Sequence, residues 1–229
     1  MALLGRAAVA MWWNMAAERR EEFEHWHSHE HFPERMGITG FLRGSRWASA
    51  DGAGHGEGFF VLYELEDYET LTSSGYMERL NKPTPWSTKM MPHHRDMVRS
   101  QCRLLYSTGG GIARHALTVR LSPAEGRHAE LLEHFAALGP AFASQPGGVA
   151  FHVLRTDTPQ AASTREQQIR GGKDGSADWI VLAMAYDASA LDSLRREALG
   201  ESLERHGAQA GALSGRYQLA YAASADDLK

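Results

Sequence analysis

The chain has 229 residues, enough for one large domain or two small ones, and its 43% apolar and 23% charged side chains are ordinary for a globular protein. A net charge of −4 argues against nucleic-acid binding, which calls for a basic patch, and no apolar run reaches the roughly 18 residues that a membrane span needs. The single cysteine, Cys102, excludes an intrachain disulfide and fits a reducing compartment, so a cytoplasmic location is expected.

In chain order, residues 5–14 read as a first strand. The run Ala7-Ala8-Val9-Ala10-Met11-Trp12-Trp13 after Arg6 faintly resembles a secretory signal, but it has a strand counterpart later in the chain. Residues 16–35 read as a helix, and this helix is the richest part of the sequence in chemistry. It carries His25, His27, His29 and His31 among Glu24, Glu30 and Glu34. At 100° per residue, Phe23, Trp26, Glu30 and Pro33 share one face, and Phe23 and Trp26 mark that face as apolar. Glu30 is therefore expected in the middle of a buried stripe, where a carboxylate is costly and has its pKa raised. His27 and His31 flank it, while His25 and His29 fall on the wet side.

The turn and strand 37–47 follow, with Arg43, Trp47, Phe41 and Ser45 on one face and Arg46 on the other. A glycine-rich tip at 51–58 leads to the strand 59–65, then a short helix at 68–80 and a fourth strand at 101–107. Between these last two, residues 81–98 hold three prolines, Trp86 and three methionines, which suits either a lid over a pocket or a strap across the sheet edge. After Thr108-Gly109-Gly110-Gly111 the same order recurs: strand 116–121, helix 123–138, strand 148–155, strand 179–186, helix 189–205 and strand 217–221. The polar, glycine-rich tract 157–177 has no apolar periodicity and is expected to be a mobile loop.

Two passes of β-α-β-β-α-β define an α+β chain of tandem ferredoxin-like units, divided as 1–108 and 112–225. Such a sheet carries helices on one face only. Strands 59–65 and 179–186 are apolar at almost every position, as burial on both faces demands. The economical solution packs the two sheets against each other, giving a barrel-like core with helices outside.

The pattern Phe23-x-x-Trp26-x-x-x-Glu30-His31-x-x-Glu34-Arg35-x-Gly37-Ile38-x-Gly40-Phe41-x-x-Gly44-x-Arg46 resembles the first helix and second strand of dimeric α/β-barrel proteins, and within them the EthD-like group of mostly uncharacterised bacterial proteins. Thr39 replaces the usual proline of that pattern, and His27 stands where a tyrosine is common. The likeness covers the first half well and the second half only as a fold. It implies a superfamily that holds cofactor-free monooxygenases, isomerases, haem enzymes and proteins of unknown activity.

Three chemical readings compete for this helix. His27 and His31 at i, i+4 could share a divalent ion with Glu30 or Glu34. Against this, His-Glu-x-x-His is absent, and His29-Glu30-His31 splays neighbouring side chains. A haem reading lacks an attachment motif, so neither metal nor cofactor is expected. The acid–base reading is preferred: Glu30 with His31 and His27 as the catalytic group, and Arg43 as a partner for a substrate oxygen. Trp12, Trp13, Trp47, Tyr63 and Trp86 would supply an aromatic wall for a small apolar ligand, with a homodimer possible. The same residues also suit a structural ion pair that fixes helix to sheet. The second half offers only Glu130-Leu131-Leu132-Glu133-His134 at the matching place, so one working site is expected. That asymmetry also fits a non-catalytic ligand-binding or accessory protein.

Overall fold

The computed structural model describes residues 3–51, 58–157, 163–172 and 174–228. Most of the glycine-rich tip, 52–57, lies outside the described residues. Eight strands close into a barrel in the order β1-β3-β2-β8-β5-β7-β6-β4, with every pairing antiparallel. The strands are β1 (Ala7–Met15), β2 (Phe41–Ser49), β3 (Phe59–Leu65), β4 (His94–Gly109), β5 (His115–Leu121), β6 (Gly148–Thr156), β7 (Trp179–Ala185) and β8 (Leu213–Ser224). In the first half β1 lies between β3 and β4, and in the second half β5 lies between β7 and β8. The halves meet at two seams, β2 with β8 and β4 with β6. The sheets thus share their edges as well as their inner faces, which leaves no free edge to template aggregation.

Burial follows from closure. All seven residues of β3 and all seven of β7 are buried, because one face lines the barrel and the other lies under helices. The barrel interior is filled by Trp12, Trp47, Phe60, Leu62, Ile180 and Leu182, among others. Trp12 stacks on Phe60 at 5.0 Å between ring centroids, and its indole donates to Thr118 Oγ1 across the barrel. Each half has its own core between sheet and helices. In the first it is built on Phe23, Trp26, Phe32 and Tyr63; in the second, on Leu131, Phe135, Phe151 and Leu191.

The helices differ in detail from the sequence expectation. The helix expected at 16–35 is a rod of three parts: α1 (Arg20–Trp26), a π turn (His27–His31) and α2 (Phe32–Met36). Gly44 lets α2 press on β2, since a Cβ there would come within 2.4 Å of the Phe32 ring. Next come α3 (Ser74–Asn81) and α4 (Pro85–Met90), the latter capped by Thr84. Strand β4 starts at His94, well before the expected 101. In the second half α5 (His128–Ser144) starts five residues later than expected and runs on through Pro140. The second helix of that half, α7 (Ala188–Glu197), stops short of the expected 205, and a 3-10 turn at Glu201–His206 follows Gly200. The tract expected to be a mobile loop contains α6 (Arg165–Ile169), a short helix with a Thr164–Gln167 capping box. Residues 158–162 and 173 of that tract lie outside the described residues.

Candidate functional site

A cavity of about 40 Å³ lies in the first half between the outer face of the sheet and the α1–α2 rod. Strands β1 and β3 supply Val9, Met11, Trp13 and Tyr63. The rod supplies Trp26, His27, His31 and Arg35, and the segment after α4 supplies Met91. His94 and Arg99 come from β4, α6 supplies Glu166, and Arg170 follows directly after that helix. The last two are contributed by the second half of the chain.

The π turn decides which rod residues face this space. The Phe32 N–H bonds to the His27 carbonyl, five residues back, so the rod is underwound by one residue there. Pro33 makes this opening cheap: it has no N–H to give to the previous turn, and its ring would crowd the His29 carbonyl in a regular helix. The apolar stripe therefore runs Phe23, Trp26, His27, then Phe32, Arg35 and Met36. His31 takes the cavity position that an unbroken helix assigns to Glu30. Glu30 is turned towards the strap, where it accepts hydrogen bonds from Thr84 Oγ1 and from the Trp26 indole at 3.2 Å. It is absent from the cavity wall.

Three imidazoles line the cavity. His27 is 2% exposed, and its Nδ1 lies 3.3 Å from Arg46 Nη1. A guanidinium can only donate, so Nδ1 accepts and the neutral ring carries its proton on Nε2. His94 has the opposite tautomer: its Nδ1 donates to the Met91 carbonyl at 3.1 Å, which makes Nε2 the acceptor nitrogen of the neutral ring. Among the described residues His31 Nδ1 has no hydrogen-bond partner, and it sits 4.0 Å from Glu34 Oε2. Burial, then the charges of Arg46 and Arg35, hold His27 and His31 well below the usual imidazole range. Burial and the nearby Arg170 push His94 down to about 3. All three are neutral at pH 7.

The remaining polar groups gather around Arg35, which is 3% exposed and paired through Nη2 with Glu166. Arg170 is held by Asp174 at 2.6 Å, and Arg99 donates to the Tyr76 hydroxyl. Burial raises the Tyr63 phenol above its ordinary value, so it stays protonated. Seven buried polar side-chain atoms lack a hydrogen-bond partner among the described residues. Four of them, Trp13 Nε1, His31 Nδ1, Arg35 Nη1 and Tyr63 Oη, belong to residues of this cavity wall. Each such atom costs about 1–3 kcal/mol if nothing reaches it.

Other expected site residues lie elsewhere. Arg43 is on the barrel side of β2, in a bidentate pair with the fully buried Glu64 at 2.7 and 2.8 Å, so the sheet separates it from the cavity. Trp12 and Trp47 fill the barrel interior. Trp86 packs against the rim of the first-half core, edge-on to His25. Trp13, Tyr63, His27 and His31 do share the cavity. The sequence sets Arg46 on the face of β2 opposite Arg43, without showing which face meets the rod, and gives no sign that His94, Arg35, Arg99, Glu166 and Arg170 share the cavity. His94 and Arg99 were hidden by a strand start placed too late; Glu166 and Arg170 were hidden in a tract without apolar rhythm. Among the described residues, no group of three or more His, Cys, Asp or Glu side chains is arranged to hold a metal ion. No helix among them is long and apolar enough to cross a membrane.

A closed eight-stranded barrel with ferredoxin-like sheets and helices outside is the dimeric α/β-barrel architecture, here completed within one chain. Solved structures share it. An anthrone oxidase-like protein superposes with a TM-score of 0.62 at 14% identity, over 96% of this chain and 92% of its own. A putative monooxygenase from Fusobacterium nucleatum gives 0.60 at 8% identity, over 96% and 95%. One from Lactobacillus acidophilus gives 0.59 at 9% identity, over 96% and 97%. At such identities the likeness is one of fold. No protein-family model matches the sequence, and no curated protein matches it.

Proposed function

We propose that this protein is a cofactor-independent enzyme that removes a proton from an acidic carbon of a small, largely apolar or aromatic molecule. The observation that carries the reading is the set of neutral imidazoles, His27, His31 and His94, in the wall of one aromatic cavity. His94 is the base we favour, because its Nδ1 hydrogen bond to Met91 fixes the ring and makes Nε2 the acceptor nitrogen, as a general base requires. Glu30 gives up that role, being bound to Thr84 and Trp26.

Loss of the proton leaves a carbanion or enolate, the common first step of an isomerisation, a ring closure or an elimination. Oxygen insertion continues from the same species with dioxygen as second substrate. A CH2 group becomes C=O, one oxygen atom enters the carbonyl, and the other leaves as water. The names of the structural neighbours, an anthrone oxidase-like protein and two putative monooxygenases, favour this last course. The pattern around Trp26, His31 and Arg35 suggests the EthD-like group within the superfamily. We read the two halves as tandem copies, one catalytic and one structural, in a cytoplasmic protein.

The cavity is small for a fused-ring substrate. Met91 and Met97 in its wall have the adaptable shape that such a substrate would need to displace. That small volume favours, as a second reading, a non-catalytic protein that binds a small ligand. Dioxygen uptake separates the two. With anthrone, whose ring CH2 is acidic, as the probe, we expect saturable uptake that His94→Gln reduces about 100-fold or more without lowering the melting temperature. Full activity in His94→Gln, or no uptake with binding retained, overturns the enzyme reading.

A further inference from the structure

The cavity is short of acceptors. Trp13 Nε1 and Arg35 Nη1 can only donate, and the protonated Tyr63 hydroxyl is free to donate. The three residues are 2, 3 and 2% exposed, so bulk water does not serve them. The charges are unbalanced in the same direction. Three arginines line the space, Arg35, Arg99 and Arg170, against one carboxylate, Glu166. Asp174 answers Arg170, and Glu166 answers Arg35, whose Nη1 also lies 4.0 Å from Glu34 Oε2; Glu34 is in turn shared with Arg79 at 3.5 Å, so its charge is already matched. Among the described residues Arg99 has a phenol, Tyr76, and no carboxylate.

The sheet register places these groups. Met11 on β1 lies between Arg99 on β4 and Val61 on β3, one row from Val9 and Tyr63. Tyr63 and Tyr76 both pack on Phe41, at 5.6 Å between ring centroids in each case. Arg99, Tyr76, Tyr63 and Arg35 thus occupy one end of the cavity.

We propose that this end binds a carboxylate of an otherwise apolar ligand, held by Arg99 with Arg35 Nη1 and the Tyr63 hydroxyl. Buried water could satisfy the orphan donors but leaves the extra charge in place. A carboxylate supplies two acceptors and one negative charge, and its flat fork suits a guanidinium. A phosphate dianion overshoots a single excess charge, while Val9, Met11 and Met97 fit an apolar body. The proposal rests on reading this cavity as the working site, and it deepens that reading. The ligand charge would also oppose the arginine field on the imidazoles and make His94 a stronger base.

Trp13 and Trp26 in the wall report occupancy by fluorescence. The titration uses benzoate, its neutral isostere benzamide, and inorganic phosphate. We expect benzoate to bind saturably and at least about tenfold more tightly than benzamide or phosphate. Arg99→Met should weaken benzoate at least about tenfold and leave benzamide unchanged. Arg99→Lys, which keeps the charge should Arg99→Met fail to fold, should restore most of the affinity. Equal binding of benzamide and benzoate, preference for phosphate, or no effect of either Arg99 variant overturns the carboxylate site. Dioxygen uptake lost in His94→Gln would leave the enzyme reading standing in that case. No saturable binding by either benzoate or benzamide removes the carboxylate site and the ligand cavity together.

Discussion

At the scale of single residues, the fold keeps several histidines neutral at acid pH, below about 6.5, where they would be charged in the unfolded chain. His94 titrates at about 3 and His152, buried beside Ser107, at about 4, both lowered chiefly by burial. His27 and His31 are lowered in the same sense. The folded pKa lies below the ordinary 6.5, so between the two values the unfolded chain binds more protons. Stability from this source is complete above about pH 6.5 and is lost as pH falls towards 3. Each histidine adds a slope of about 1.4 kcal/mol per pH unit while it differs in charge. Urea midpoints should therefore fall steeply between about pH 6 and pH 4, and His94→Phe should make that slope shallower by one histidine's share. An unchanged slope would mean that His94 is protonated in the fold. Glu30 is expected to behave modestly. Glu30→Gln keeps an oxygen for Thr84 Oγ1 and Trp26 Nε1, so melting should shift by no more than about 0.5 kcal/mol equivalent and turnover should persist. Loss of turnover with an unchanged melting temperature would return Glu30 to the chemistry.

At the scale of elements, what the sequence revealed depended on what each element buries. Strands β3 and β7 were legible because both of their faces are apolar. The π turn was not, because periodicity assumes a fixed number of residues per turn, and Pro33 broke that assumption where Glu30 and His31 exchange places. The first part of β4 was missed since Arg95, Asp96 and Arg99 interrupt its apolar pattern. Phe41 left the face expected of it because β2 has an irregularity between Phe41 and Arg43, whereas Arg43 and Trp47 kept their parity. Helix α6 gave no signal because it buries charge. Glu166 is 5% exposed and pairs with Arg35; Arg170, just after the helix, pairs with Asp174; and the Arg165 N–H bonds to Asn81 Oδ1. That docking is testable. Glu166→Gln removes the charge opposite a buried guanidinium, a change that costs several kcal/mol if the pair must stay buried. Undocking α6 lets water reach Arg35 and relieves part of the cost. Cleavage within 157–177 by a non-specific protease should then rise about tenfold or more, with a small drop in melting temperature. Unchanged cleavage together with a large drop in melting temperature would show that α6 stays docked over an unpaired charge.

At the scale of the whole molecule, the boundary near 108–111 divides the chain more cleanly than it divides the core. Each half owns the layer between its sheet and its helices, but the barrel interior belongs to both. Trp12, Trp47 and Phe60 from the first half meet Ile180, Leu182 and Tyr217 from the second. The seams also cross the boundary, from Arg43–Ser49 to Tyr217–Ser224 and from Cys102–Gly109 to Ala150–Thr156. The site follows the same logic, since α6 of the second half completes the cavity of the first. A fragment of residues 112–225 would keep its helix-side core and its own four strands, β8, β5, β7 and β6. It would also expose the apolar inner face and leave β6 and β8 as bare edges, the two conditions that favour self-association. We therefore expect 112–225 expressed alone to form dimers or larger species, by sedimentation, while the full chain unfolds in one transition. Mixing it with residues 1–108 should recover the barrel and, with it, the Arg35–Glu166 contact between the two pieces. A stable monomer of 112–225 would mean that the inner face tolerates water, and the two halves would then have to be treated as independent domains joined at their edges.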